Sequence, residues 1–299
     1  MRVNASYVTL TAGDPMTVWT VTEPRRVDVG DTVTRLNVRL NAARLVVVGT
    51  DGPPQVEISK MAPTPIRVRL DGGVLSIEHE RVNAWPGLLE PLWWMFNGRG
   101  RFHSDVSVAV PFDTLANLWV ASGSVTASGL HADLVAECVS GRITVFGLVG
   151  ALRAKVVSGP IEVLGCTGRV QLETVSGEIT LADTASGEVR AKTVSGALTA
   201  DLDNPPEACD IKLETINGEI TVRVREDSNL YVTLNVAHGK VSSEFPGIAA
   251  LGRWGSSASG RIGNAPNGGH LSVNAVGGNI ALLRRPSDAD FDTEEREPR

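Results

Sequence analysis

The sequence predicts an all-β protein, a β-solenoid made of coils of about 18 residues with two strands each, preceded by an N-terminal β segment. Three observations carry this. A V-S-G-x-I-T context keeps returning, apolar residues fall into two columns nine positions apart, and apolar and polar residues alternate within each half-unit.

The repeat reads ASGSVTA at Gly123, VSGRITV at Gly141, VSGPIEV at Gly159, VSGEITL at Gly177, VSGALTA at Gly196 and INGEITV at Gly218. AHGKVSS at Gly239 and VGGNIAL at Gly278 extend it, and the first four steps are 18, 18, 18 and 19 residues. A weaker glycine midway, at Gly150, Gly168 and Gly187, halves the unit into two strands and two turns. The columns pair Leu134 with Ile143, Leu152 with Ile161, Val170 with Ile179, Val189 with Leu198, Ile211 with Ile220, Val232 with Val241 and Leu271 with Ile280. Stacking such coils would place Ile143, Ile161, Ile179, Leu198 and Ile220 in one interior ladder. The glycine after Ser or Asn is expected to supply a positive φ in a tight turn.

Residues 1–105 lack this register but still read as strands: Thr17 to Thr22, Val33 to Leu40, Leu45 to Val48, Ile66 to Leu70, and Val74 to Glu78 after Asp71-Gly72-Gly73. They are expected to begin the same sheet system and seal its apolar end. An aromatic insertion, WPGLLEPLWWMFNGRGRF, occupies residues 85–102. The repeat domain spans 106–285, with an insertion at Asn204-Pro205-Pro206 and a Gly/Ser-rich run from Pro246 to Gly269 read as a projecting or capping loop. An acidic tail, 286–299, is expected to be disordered.

The stretch from Asp105, DVSVAVPFDTLANLWVASGSVTASGLHADLVAECVSGRITV, has a strand ending in Val-Pro followed by V-S-G-x-I units. In this it resembles the bacterial DUF4097 family, and the resemblance covers roughly Val106 to Leu283, with LSVNAVGGNIALL similar to the family's closing coil. The resemblance implies a solenoid of parallel strands and a role in adhesion or surface binding. It carries over no catalytic residue.

Of 34 acids and 28 bases, the residues from Ser287 hold six and two, so the tail carries −4 and the body only −2. A nearly neutral body has no nucleic-acid footprint. The N-terminal MRVNASYVTLTAGDPMTVWTV offers no basic, apolar leader, and no stretch approaches the roughly 18 apolar residues of a membrane span, so a cytoplasmic location is expected. Cys138, Cys166 and Cys209 are widely spaced in apolar surroundings and read as reduced core thiols.

Catalytic patterns are sparse. No G-x-S-x-G elbow occurs, and Gly255-Ser-Ser-Ala-Ser-Gly260 has phosphate-loop spacing but continues with Arg261 and Ile262 where Lys and a hydroxyl residue are needed. His79-Glu80 opens a zinc-protease motif, yet Asn83 stands at the second ligand position, so His79 is expected as an exposed strand residue. Asp201, Asp203 and Asn204 read as a solvated turn before a calcium site. Glu162, Glu173, Glu178, Glu188 and Glu219 read as outward strand or turn residues before a glycosidase pair.

No catalytic residue, metal or cofactor is therefore assigned, and the protein is expected to be a non-catalytic binding or scaffolding protein. Its candidate surface is Trp85, Trp93, Trp94, Phe96, Arg99 and Arg101, which reads as a cap on the solenoid, a partner or ligand surface, or a membrane-surface contact. The expected partner is a protein or a glycan, and open solenoid ends would allow self-association. The alternatives are a polysaccharide-active β-helix enzyme and an envelope-stress component that meets membrane or a partner through the Trp-rich loop.

Overall fold

The computed structural model describes residues 16–30, 32–79, 103–202, 208–248, 256–264 and 268–285, which contain 22 strands. The chain divides into two compact units, residues 1–139 and 140–299. Both are built from strands whose inward residues are almost wholly Val, Leu, Ile and Ala.

In the first unit the central element is the long strand β3 (Arg35–Thr50). Its buried residues run Leu36, Val38, Leu40, then shift phase to Ala43, Leu45, Val47. The shift falls on Asn41-Ala42, where the strand turns a corner, so its two halves bury side chains from different directions. β8 (Leu115–Ser128) lies parallel to both halves, pairing Arg35 with Leu115 and Ala43 with Gly123. The first half of β3 is flanked on its other side by β6 (Val74–His79) and the second half by β7 (Ser104–Pro111), both parallel. β6 forms a hairpin with β5 (Ile66–Asp71) through Gly72 and Gly73, whose φ of 53° and 77° suit the primed turn that matches strand twist. Antiparallel β1 (Thr17–Val21) borders β5. Likewise β4 (Gln55–Lys60) borders β7, and β2 (Arg25–Asp28) borders β4.

A parallel coil is therefore present from Arg35, ahead of the first V-S-G. It escapes the motif because its corner is Ala42-Ala43, against whose carbonyl Gly123 nests: a Cβ on Gly123 would stand 2.0 Å from the Ala43 oxygen. The expected strands at 33–40 and 45–48 are this one bent strand.

In the second unit each coil is a strand, a glycine corner, V-S-G in its early coils, and a second strand. The first strands are β10 (Leu152–Ser158), β12 (Arg169–Ser176), β14 (Glu188–Ser195), β16 (Asp210–Asn217), β18 (Leu230–His238) and β21 (Gly269–Gly277). The second strands are β11 (Ile161–Leu164), β13 (Ile179–Ala182), β15 (Leu198–Leu202), β17 (Ile220–Arg225), β19 (Val241–Ser243) and β22 (Ile280–Arg285). Parallel pairing puts Ile143, Ile161, Ile179, Leu198, Ile220 and Ile280 opposite one another in sequence, all of them fully buried. This is the expected ladder, and burying each member stabilises the unit by about 1.5–3 kcal/mol. Cys138, Cys166 and Cys209 are buried thiols not joined in disulfides, and burial pushes the Cys166 thiol up to about 11.

The stacking order departs from the chain order. β21 pairs parallel with β16 on one side and β18 on the other, and β22 lies likewise between β17 and β19. The C-terminal coil thus closes the sequence without closing the stack. β20 (Ser256–Ile262), within the stretch read as a loop, runs antiparallel along β18.

The corner glycines explain the repeat. A Cβ on Gly159 would lie 1.8 Å from the Gly141 carbonyl oxygen, on Gly177 1.9 Å from that of Gly159, on Gly196 1.9 Å from that of Gly177, and on Gly218 1.9 Å from that of Gly196. Gly278 would meet Gly218, and Gly239 would meet Gly278, in the same stacking order as the strands. The expectation of positive φ holds at Gly123 (132°), Gly141 (145°), Gly159 (134°), Gly196 (147°) and Gly278 (116°) but not at Gly177, Gly218 or Gly239, which lie outside the left-handed region. What all these positions share is close backbone approach between coils. Thr174 and Thr193 tighten it, their hydroxyls donating at 3.2 Å to the carbonyls of Gly159 and Gly177.

Gly177→Ala is therefore expected to destabilise the full chain by about 3 kcal/mol or more, through overpacking against backbone that cannot yield. Gly187→Ala, where nothing lies within 4 Å of the added Cβ, is the matched control and should change stability by less than about 1 kcal/mol. Urea unfolding of the two variants checks this, and equal effects would contradict the close-approach account.

Candidate functional site

Trp85, Trp93, Trp94, Phe96, Arg99 and Arg101 lie outside the described residues, as do Asp203 and Asn204. His79 and Ser104, which stand on either side of residues 80–102, are described, and they meet. His79 ends β6 and Ser104 begins β7; both are buried, with the His79 Nε2 3.4 Å from the Ser104 Oγ. The backbone N–H of Asn41, at the corner of β3, donates to His79 Nδ1 at 3.1 Å, and that of Ala62 donates to Ser104 Oγ at 3.0 Å. A nitrogen that accepts carries no proton, so the neutral ring bears its hydrogen on Nε2 and directs it at the serine. That is the wrong polarity for a serine nucleophile, whose base must accept the hydroxyl proton. The pair is a clasp between the end of β6 and the start of β7. His79 is thus buried where an exposed residue was expected, and burial holds its imidazole below the ordinary value.

Four of the five carboxylates read as outward residues are engaged by neighbours, mostly on adjacent coils. Glu162 pairs with Arg142 at 3.1 Å, Glu173 with Lys155 at 3.4 Å, and Glu188 with Arg169 at 2.6 Å and Arg190 at 3.3 Å. Glu219 accepts a hydrogen bond from Asn279. Asp201 faces Arg223 and Arg285, and the hydrogen bond from Arg223 is the largest influence holding its carboxyl below the usual range. Glu162, Glu173, Glu188 and Asp201 are matched by cations, which suits a structural role.

A groove of about 550 Å³ in the first unit has a different character. It is lined by the outward residues of β6, β3 and β8 and the start of β9 (Leu134–Phe146). Parallel register sets these residues in two rows. Ser76, Asn37 and Asn117 form one and Glu78, Arg39 and Trp119 the other, while Val135 and Glu137 complete the lining. The Arg39 guanidinium sits 5.0 Å from the Trp119 ring centroid, a cation–π arrangement that fixes both side chains. Asn117 Nδ2 donates to Asn37 Oδ1 at 3.2 Å, which leaves the Asn37 amide hydrogens and the Asn117 carbonyl oxygen as an outward donor and acceptor. An aromatic platform beside convergent amides, a guanidinium and two carboxylates fits a ligand that is apolar on a face and hydroxylated at its rim.

The sequence reading missed this groove, since Asn37 and Asn117 stand 80 residues apart and only the fold makes them neighbours. One local signal existed: alternation puts Leu118 inward and Trp119 outward, and a tryptophan on the polar side of a strand is unusual enough to mark a surface.

The family model described as Toastrack DUF4097 matches residues 48–283, most of the chain and nearly all of its repeat. The protein belongs to the Toastrack DUF4097 family. A comparison with curated proteins found no match. Among solved structures, this Toastrack protein is similar to a "putative adhesin" from Bacteroides fragilis, with 11% identity, a TM-score of 0.45 and coverage of 90% of this chain and 98% of that one. It is also similar to a "putative lipid binding protein" from Parabacteroides distasonis, with 11% identity, a TM-score of 0.41 and coverage of 87% and 96%. A "putative cell adhesion protein" from Clostridium sporogenes shows 13% identity, a TM-score of 0.31 and coverage of 88% and 100%.

The His79 clasp sets a sign for acid behaviour. A histidine whose folded value is depressed contributes stability that is complete above its unfolded value of 6.5 and is lost as pH falls below it. Urea unfolding between about pH 7.5 and about pH 5 should show a steeper loss in the wild type than in His79→Gln, whose amide can replace both hydrogen bonds without titrating. Identical slopes would contradict the clasp.

Proposed function

We propose that the protein is a non-catalytic binding module whose first unit recognises a glycan through the groove of Asn37, Arg39, Ser76, Glu78, Asn117 and Trp119. The carrying observation is the two-row arrangement, with Trp119 held by Arg39 and the Asn37–Asn117 amide pair beside it. A pyranose offers a C–H face that packs on an indole, and hydroxyls that both donate and accept. An amide pair, a guanidinium and carboxylates within one groove meet that mixed demand better than a site of one charge would. A groove open along a sheet face also suits a chain of repeating units better than a small enclosed ligand. Binding without chemistry agrees with the ion-paired state of the carboxylates on the second unit.

The test is calorimetric titration of the full chain with short linear oligosaccharides, one neutral, one N-acetylated and one bearing uronic acids. At least one should bind, and Trp119→Ala and Asn37→Ala should each weaken it about tenfold or more while leaving thermal stability near wild type. Absence of binding by all three up to about 10 mM, or binding indifferent to both substitutions, would overturn the reading.

A further inference from the structure

The second unit carries an exposed apolar row that no part of the described chain covers. Val157, Val175, Ile216 and Val276 are 45%, 48%, 42% and 51% exposed, and the half-buried Val194 falls in the same row. They stand two residues before successive corner glycines, on neighbouring strands β10, β12, β14, β16 and β21. Beside them, two residues earlier on each strand, runs a second outward row in register: Lys155, Glu173, Lys192, Glu214 and Asn274. Its charges alternate in sign over four coils.

An alternating row of even length has a particular symmetry. Reversed end for end, Lys-Glu-Lys-Glu becomes Glu-Lys-Glu-Lys, so the row is complementary to its own reversed copy. We propose that this face binds a second copy of the same chain, about a two-fold axis that runs along the strand direction between β12 and β14. That axis sets Lys155 against Glu214 of the second copy and Glu173 against Lys192 of the second copy. The apolar row then meets itself as well, Val175 opposite Val194 and Val157 opposite Ile216, as an isologous interface requires. A two-fold perpendicular to this one within the face would instead leave each residue of the charged row in its own column, like charge toward like. Arg153 and Lys212, one step further out, would face each other at the rim, and Lys212 is already tied to Glu214 at 3.4 Å. Contact therefore centres on the two inner rows and the Ser corner beside them.

Five strands at about 4.8 Å and three outward rows at about 6.7 Å make a patch of roughly 400 Å² per copy, below the standard interface size. The association is accordingly weak, with a dissociation constant on the order of 100 µM, and sensitive to salt.

Sedimentation velocity of the full chain from about 5 µM to about 1 mM reads this directly. The expected result is a concentration-dependent dimer that Val175→Lys weakens about tenfold or more. Glu173→Lys and Lys192→Glu should each weaken it, and the double variant should restore it, because these two positions face each other across the axis. All these positions are on the surface, so circular dichroism should match wild type throughout. A chain that stays monomeric to about 1 mM, a dimer indifferent to Val175→Lys, or a double charge swap that fails to restore association would overturn the proposal.

Discussion

At each corner of the second unit the chain turns so that the Cα hydrogen of one glycine points along the stack at the carbonyl of the glycine in the next coil. A side chain there would point neither into the core nor out to water but into backbone, within about 2 Å of an oxygen. Only hydrogen fits. Because the corners touch, the strands on both sides are drawn to hydrogen-bonding distance at the same register, and the corner amides take part: Gly159 donates to the Ser176 carbonyl at 2.7 Å and Gly177 to that of Ser195 at 3.0 Å. The interior isoleucine ladder and every outward row of side chains inherit their alignment from this contact. Apolar burial supplies most of the free energy, whereas the corner decides which residue lies opposite which.

How much of this was legible follows from the same constraint. A requirement for hydrogen at one position in about 18 leaves a signature no side-chain preference can blur, so the coil length was readable from V-S-G-x-I, the columns from the apolar residues spaced about it, and the family from that motif with the Val-Pro strand end. Stacking order was not, because every coil presents the same edge to its neighbours and nothing local tells Gly278 to settle between Gly218 and Gly239. The coil at β3 was hidden because its corner is Ala42-Ala43. At His79 the information was present and misread: Ile77 inward and Glu78 outward already place residue 79 inward. The groove needed register between strands far apart in sequence, which alternation within one strand cannot supply.

Stacking also turns isolated surface residues into rows. A single exposed Lys–Glu pair contributes about 0–1 kcal/mol, so the cross-coil pairs add modestly to stability. Their greater effect is positional, since a row of fixed charge or fixed amide is a surface with a repeat of its own. On the first unit such rows hold Asn37 beside Asn117 and Arg39 beside Trp119, the lining of the groove proposed to take a glycan. On the second unit they hold valines beside alternating charge. One backbone device thus yields different surfaces according to which outward residues it aligns.

The most direct measurement of the central claim is native-state hydrogen exchange at the corner amides of Gly159, Gly177, Gly196 and Gly218. If coil-to-coil contact at the corners sets the register, these amides exchange only when the second unit unfolds as a whole, as slowly as the core strands beside them. Exchange at the rate of ordinary exposed turns would mean that the corners open freely, and that register is set by the apolar ladder instead.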